Sequence, residues 1–220
     1  MQVRCAKIRA VKAAEVRLVI DHVSKLYGAR QVLHNIVAEL TTGDVLLVTG
    51  HNGVGKSTLL RLLAGLQRPS SGTIRYVAAG CEWEPAEAQP LIGMIGPDIQ
   101  LYRELTAQEH MAFVADVRGI RCDAASQRQA LARVGLEQRA DEYVARFSSG
   151  MVQRLRYALA LLHQPPVLLL DEPTTNLDAT GVAMVERVVA EQRACGITVI
   201  ATNDPRDRAF GDFVLPLGEV

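Results

Sequence analysis

An excess of charge of either sign, clustered cysteine and long apolar runs are all missing from this chain. Its 220 residues carry 24 Lys plus Arg against 24 Asp plus Glu, so the formal net charge is zero. Nothing global favours the coating of a polyanion, and no nucleic-acid partner is expected. The four cysteines (Cys5, Cys81, Cys122 and Cys195) form no Cys-x-x-Cys pair and no His/Cys cluster at metal-binding spacing. That excludes a zinc module and a disulfide framework, and ordinary reduced thiols point to the cytosol. The longest uncharged stretch in the middle, YALALLHQPPVLLL, has 14 residues and is broken by His163, Gln164 and two prolines. A membrane span needs about 20 predominantly apolar residues. The opening MQVRCAKIRAVKAAE is basic without the apolar stretch of a signal peptide, and residues 1–15 are expected to form a frayed tail.

What is present is aliphatic. Hydrophobic residues make up 49% of the chain and aromatics only 5%, so a core of sizeable extent must be built from Leu, Val, Ile and Ala. The length suits one large domain, or one core with a modest insertion. VRLVIDHV and GDVLLVTG read as strands, the second a continuous apolar run of the kind a buried parallel strand shows. KSTLLRLLAGL reads as a helix with leucines at 59, 60, 62, 63 and 66. PSSGTIRYV is a turn feeding a strand, and CEWEPAEAQP a loop or edge segment with little pattern. From Thr106 to Leu162 the reading is mainly helical. PVLLLDEP then returns to a buried strand, ATGVAMVERVVAEQRACG to a helix and ITVIATND to a strand. That order predicts a mostly parallel α/β core with a helical subdomain inserted through its middle.

Two motifs carry chemistry. GHNGVGKST follows directly on the VLLV strand and opens a helix, matching G-x-x-x-x-G-K-[ST] with Gly50, Gly55, Lys56 and Ser57 in the fixed places. Such a loop wraps phosphate with backbone N–H groups, and its glycines supply positive φ and close approach. The loop residues Gly50, His51, Asn52, Gly53, Val54, Gly55, Lys56, Ser57 and Thr58 are the candidate ATP-binding set. Lys56 is placed to reach the β- and γ-phosphates and the Ser57 hydroxyl to ligate Mg²⁺, with the helix dipole favouring the anion. Far downstream, VLLLDEP delivers Asp171 from a buried strand, where it can hold Mg²⁺ through water. Glu172 follows, placed to orient or deprotonate an attacking water. Together these are the parts of a nucleoside triphosphatase.

At this point the residues resemble the ATP-binding cassette (ABC) ATPases, over nearly the whole chain from Val16 to Gly218. VSKLYGARQVLHNI is similar to the first hairpin of that family, where an aromatic residue stacks on adenine; Tyr27 is the match. FSSGMVQRLRYALALL resembles the family signature, L-S-G-G-Q followed by a helix, and DEPTTNLD resembles the magnesium strand and D-loop, with Asp178 as its acid. Taken alone, SSGM is a plain N-cap before an apolar helix; its place just upstream of PPVLLLDEP is what makes it resemble the signature.

The resemblance implies a P-loop NTPase fold: a mostly parallel sheet flanked by helices, an antiparallel N-terminal β portion and an inserted helical subdomain. It implies one nucleotide-binding domain, with core segments 16–96 and 163–220 and a helical subdomain over 97–162. It also implies ATP and Mg²⁺ as ligands, and a head-to-tail homodimer or pseudo-dimer with a second ABC subunit. In that dimer Ser148, Ser149, Gly150 and Met151 meet the γ-phosphate in trans. Separate membrane permease subunits would dock near DIQLYRELTAQEH, placing the chain at the cytoplasmic face of the cell membrane. The short length and SSGM resemble the small ATPases of haem export and cytochrome c maturation.

Three positions depart from the family pattern. Ser149 and Met151 stand for Gly and Gln in the signature. IGMIGPDIQLYRELT puts Gly96 and Pro97 where Pro and Gln fall, and neither Asp98 nor Gln100 is expected to substitute simply. Asn203 stands where the family has a His that contacts the γ-phosphate and the attacking water. Asn donates and accepts hydrogen bonds, but it cannot become cationic or shuttle a proton near neutrality. Slow hydrolysis is therefore expected, with Glu172 carrying most of the water activation.

Overall fold

The computed structural model describes residues 15–218; the expected tail, apart from Glu15, lies outside them. The N-terminal part is a four-stranded antiparallel sheet in the order β2-β1-β4-β5, formed by β1 (Val16–Tyr27), β2 (Arg30–Thr41), β4 (Ser71–Ala78) and β5 (Cys81–Trp83). The second sheet has five strands in the order β6-β7-β8-β3-β9. It is built from β3 (Val45–Thr49), β6 (Ile92–Ile95), β7 (Val167–Asp171), β8 (Ile197–Thr202) and β9 (Phe213–Pro216), all pairing in parallel.

The apolar runs read as buried strands are buried on both faces, and the two-residue period of a strand divides them between two cores. On β3, Leu46 and Val48 join the cluster that contains Leu18, Ile20 and Leu33 of the antiparallel sheet. Val45 and Leu47 face the opposite way, into a cluster with Leu155, Tyr157 and Val185. Helix α1 (Lys56–Leu63) lies in the first core with Leu59, Leu60, Leu62 and Leu63 wholly buried. It ends before Leu66, which is exposed, so the last leucine of that run is not a core residue. CEWEPAEAQP is more structured than its pattern suggests. Cys81–Trp83 pairs with β4, Pro85–Ala88 forms one helical turn, and Trp83 and Ala88 are buried.

The helical block holds α2 (Ala107–Arg118), α3 (Ala124–Arg133) and α4 (Ser149–Leu161), followed after β7 by α5 (Ala179–Arg193). Each begins on a side-chain cap: Thr106, Asp123, Ser148 and Asp178 respectively accept from a backbone N–H inside the first turn. Thr106 and Glu109 close a full capping box, with Glu109 Oε2 accepting from the Thr106 N–H at 2.7 Å. These helices share one core with the sheet, since Met111, Leu131 and Tyr157 pack in the same cluster as Leu168 and Leu170.

The segment joining β6 to α2 is held by a buried histidine. His110 accepts at Nε2 from the Tyr102 N–H at 2.9 Å, and Nδ1 faces the Thr106 carbonyl at 3.1 Å. This pairing needs the neutral tautomer with the proton on Nδ1. Burial pushes the His110 pKa below its ordinary value. The unfolded chain then binds more protons than the folded one as pH falls through the ordinary histidine range, so stability is lost on acidification. Thermal unfolding from pH 7.5 to 5.5 is expected to show this loss, and His110→Gln to flatten it. An identical slope in the variant would remove His110 as its source.

Candidate functional site

Register decides where the site lies. In the central strands Thr49 pairs with Thr202, and Asp171 pairs with Ala201. The loops leaving β3, β7 and β8 therefore emerge side by side at one edge of the sheet, where ligands of open α/β sheets bind.

The loop after β3 turns on Gly50 at φ 142° and Gly55 at φ 120°, angles that side chains rarely adopt. Space is refused as well: a Cβ on Gly55 would stand 2.8 Å from Val32 Cγ1, and one on Gly50 would stand 2.7 Å from the Leu217 carbonyl oxygen. Gly55 caps α1 without a side chain, so the first N–H groups of that helix remain for a ligand. Val32, Asn52, Gly53, Gly55, Lys56, Ser57, Thr58, Arg61, Pro97, Asp171 and Glu172, together with Tyr27, line a cleft of about 570 Å³.

Three of the nine loop residues, Gly50, His51 and Val54, stand outside that lining, Gly50 beside His51 in a neighbouring cavity. Val54 packs against the core of the antiparallel sheet. His51 instead lines a smaller cavity of about 290 Å³ with Thr202, Asn203 and Arg208.

Lys56 is 6% exposed, donates from Nζ to the Gly50 carbonyl at 2.8 Å, and has Glu172 Oε1 3.8 Å away. Both acids are shifted upward from their ordinary values. Burial pushes the Asp171 carboxyl up, opposed by the Ser57 hydroxyl bonded to it and by Arg61 and Lys56. Burial likewise raises Glu172, opposed by Lys56 and by the backbone N–H of Asn203 on its carboxylate. The Ser57 hydroxyl and the Asp171 carboxylate together form a pair of hard oxygen donors that suits Mg²⁺. Glu172 itself has φ 50°, a left-handed backbone that costs a non-glycine residue about 1–3 kcal/mol and persists only where surrounding bonds hold it.

Of the three polar residues at the end of β8, only Asn203 turns to the phosphate loop, its Nδ2 donating to Asn52 Oδ1 at 2.9 Å. Thr202 points inward, bonded to buried Asp207. Asp204 caps the following 3-10 turn and pairs with Arg206. At the rim, Tyr27 is half exposed, with Lys25 Nζ 5.2 Å from its ring centroid and its hydroxyl on Gln67. In the segment after β6, Asp98 pairs with Arg61, while Gln100 is exposed and outside the lining of the cleft.

The signature residues occupy a separate place. Ser148, Ser149, Gly150 and Met151 line a cavity of about 390 Å³ with Gly135, Arg139, Arg154, Asn176 and Asp178. Ser148 Oγ accepts from the Met151 N–H at 3.2 Å as the cap of α4. Asp178 accepts from the Gly181 N–H, the Thr180 hydroxyl and Arg154, bonds that hold its carboxyl below the usual range. None of these residues lines the phosphate-loop cleft.

A family model described as ABC transporter matches residues 33–175. The chain belongs to this family. Among its relatives, the cell division ATP-binding protein FtsE of Escherichia coli K12 is 36% identical over 192 residues, covering 84% of this chain and 86% of that protein. The lantibiotic transport ATP-binding protein SrtF of Streptococcus pyogenes is 33% identical over 186 residues, covering 84% and 79%. The solved ATP-binding subunit of an ABC transporter, 28% identical, superposes with a TM-score of 0.78 over 91% of this chain and 85% of that one. The fold is thus the P-loop NTPase architecture of ABC ATPases, and the ABC family implies ATP hydrolysis. Among the described residues no helix is long and apolar enough to cross a membrane.

Sequence reasoning missed Arg61, Val32 and Asp207. Arg61 and Val32 line the cleft only because α1 and β2 fold across it. Asp207 sits in DPRDR, whose alternating charges look like a solvated turn, and nothing local marks it as 1% exposed. Gly55→Ala is expected to cost about 1–3 kcal/mol of stability and at least about tenfold in ATP affinity, since the loop must move to admit a methyl. Calorimetric titration checks this; unaltered affinity would show that the loop has room to spare.

Proposed function

We propose that the chain is the ATP-hydrolysing subunit of a membrane transport complex, with the nucleotide held at the β3–β7–β8 edge. The convergence of the phosphate loop, Asp171, Glu172 and Asn203 on that edge carries the reading. Lys56 and the N–H groups opening α1 bind the β- and γ-phosphates. Ser57 and Asp171 would hold Mg²⁺, which when bound neutralises charge on the phosphate oxygens. Tyr27 offers adenine the ring face not covered by Lys25. Glu172 orients and deprotonates water, helped by the Lys56 ammonium, which favours its ionised form. Asn203 supplies a neutral hydrogen bond at the γ-phosphate, where the family has a His that can also become cationic. Loss of one charge-stabilising donor at such a centre costs about 10²–10³ in rate; an Asn that keeps a neutral bond costs less, and turnover is slow.

The separation of the signature cavity from the phosphate cleft supports a sandwich dimer, in which Ser148, Ser149, Gly150 and Met151 of one subunit close the site of the other. Asp178 lines the same cavity as the D-loop acid of that contact. Tyr102, Phe113, Val117 and Tyr143 are exposed aromatic or aliphatic side chains on and beside α2. They form the surface offered to a membrane subunit, and the chain then sits peripherally at the cytoplasmic face. Cargo choice resides in that subunit. Of the cargo classes, haem export and cytochrome c maturation are favoured by SSGM and the Gly96–Pro97 loop alone, and neither relative described above bears on them. A second reading, nucleotide-gated dimerisation with vestigial turnover, is favoured by Asn203 and Pro97.

The two readings separate on three variants. ATP turnover is expected to fall to background in Lys56→Ala and Glu172→Gln, and Glu172→Gln to accumulate as a dimer with Mg-ATP in size-exclusion chromatography. Asn203→His is expected to raise kcat by about tenfold, within the range of one such contact. Turnover that survives both losses would remove the catalytic assignment. Dimerisation without any Glu172-dependent turnover would select the gating module.

A further inference from the structure

Asp207 has no part in the reading above, yet it is the most enclosed carboxylate near the site. It lies on the 3-10 helix Pro205–Phe210 and is 1% exposed. Both oxygens are engaged: the Thr174 hydroxyl donates to Oδ1 at 3.0 Å and the Thr202 hydroxyl to Oδ2 at 2.6 Å. Thr174 follows Glu172 by two residues on the loop leaving β7. Thr202 is the last residue of β8, directly before Asn203. One buried carboxylate therefore bridges the two loops that carry the candidate water-activating acid and the candidate phosphate contact.

The bridge bears on both. The Thr202 hydroxyl, while donating to Asp207, also accepts from the Asp204 N–H at 2.9 Å, which forms the turn that sends Asn203 toward Asn52. On the other loop, the strained backbone of Glu172 is held by its own N–H on the Ala201 carbonyl at 2.8 Å and by the Thr175 N–H on its carbonyl at 3.2 Å. The Pro173 carbonyl is taken by the Tyr157 hydroxyl at 3.2 Å, from α4. Thr174 is the next point of attachment, and Asp207 is its partner. A residue in a disfavoured backbone conformation keeps it only where its surroundings over-determine it.

We infer that Asp207 is a positioning residue, a brace that sets Glu172 against Asn203 by holding Thr174 and Thr202 on its two oxygens. The inference rests on the ATPase reading for its effect on rate, but not for its effect on structure. An isosteric amide at 207 replaces one acceptor oxygen with a donor, so one hydroxyl bond cannot be kept as it stands. A misplacement of about 1 Å at a reacting centre can cost about 10²-fold.

The test combines two measurements on the full chain. In hydrogen–deuterium exchange without nucleotide, Asp207→Asn and Thr202→Val are expected to loosen segments 172–177 and 202–204 together, and Thr202→Ser, which keeps the hydroxyl, to leave both protected. In ATP turnover, the first two variants are expected to lose about 10²-fold in kcat with KM within threefold, and Thr202→Ser to retain kcat. Should Asp207→Asn fail to fold, the Thr202 pair supplies the same comparison. Both segments staying protected in Thr202→Val, or Glu172-dependent turnover unchanged by it, overturns the brace. Coordinated loosening in a chain without any Glu172-dependent turnover supports the brace and removes the ATPase reading instead.

Discussion

The parallel register of β3, β7 and β8 is the constraint from which the rest of the site follows. Parallel strands need crossovers, and here the crossovers put helices and the antiparallel sheet over the two faces. Those faces are consequently apolar, and the strands are near-continuous runs of Val, Leu and Ile. Polarity begins where the ladder stops, at Thr49, Asp171 and Thr202. Asp171 pairs across to Ala201 and Thr49 to Thr202, so polar groups distant in the chain arrive at one edge of the sheet. A slip of one residue in this register would exchange the two faces of a strand and turn Leu46 and Val48 away from their core. The same hydrophobic pattern that fixes the core thus fixes the site.

At that edge opposite charges face one another across the cleft. Lys56 is buried between carbonyl oxygens and Glu172, and both acids are raised above their ordinary values chiefly by burial. A buried charge is costly unless it is paired, and Lys56 finds partial compensation in the Gly50 carbonyl and Glu172. A polyphosphate would supply stronger compensation, because its oxygens can engage Lys56, Arg61 and the unpartnered N–H groups of α1 together. Asp171 and Glu172 oppose an anion in the same space. A divalent cation held at the Ser57–Asp171 oxygens resolves that conflict, and this is why Mg²⁺ and ATP are proposed as a unit.

The parts that could be read from residues alone were those in which the chemistry is local. Gly50, Gly55, Lys56 and Ser57 lie within eight positions, and a phosphate loop made of backbone needs just that proximity. VLLLDE was legible because an apolar run ending in acid is itself a strand end. CEWEPAEAQP was not, since Trp83 and Ala88 are buried by contacts with the antiparallel sheet that no period records. Thr202, Asn203 and Asp204 are adjacent polar residues at a strand end, and only the fold shows that the first turns inward, the second meets the phosphate loop and the third caps a turn. Asp207 was hidden for the opposite reason. Its neighbours Arg206 and Arg208 are exposed, so its sequence context is that of a surface turn, although its two partners lie on the loop after β7 and at the end of β8.

The two cavities bear on how a site of this kind is completed. The phosphate cleft contains cation, acids and backbone donors, but no signature residue; the signature cavity contains a capped helix N-terminus beside Arg139 and Arg154, but no phosphate loop. Each is open, and each has chemistry the other lacks. The end of α4 carries a partial positive charge through its dipole, and Ser148 at that end is a hydroxyl already oriented as a cap. In the proposed sandwich an anion held in one cleft would meet that helix end of another copy, and this distribution of groups is the reason association is proposed to follow triphosphate binding. Ser149 and Met151 keep the helix opening while removing a glycine and an amide from it, so the attraction that persists is mainly that of backbone and dipole. In the proposed sandwich the departures at 149, 151 and 203 would act in the same direction, weakening side-chain contacts to the γ-phosphate while the backbone scaffold of the site stays intact.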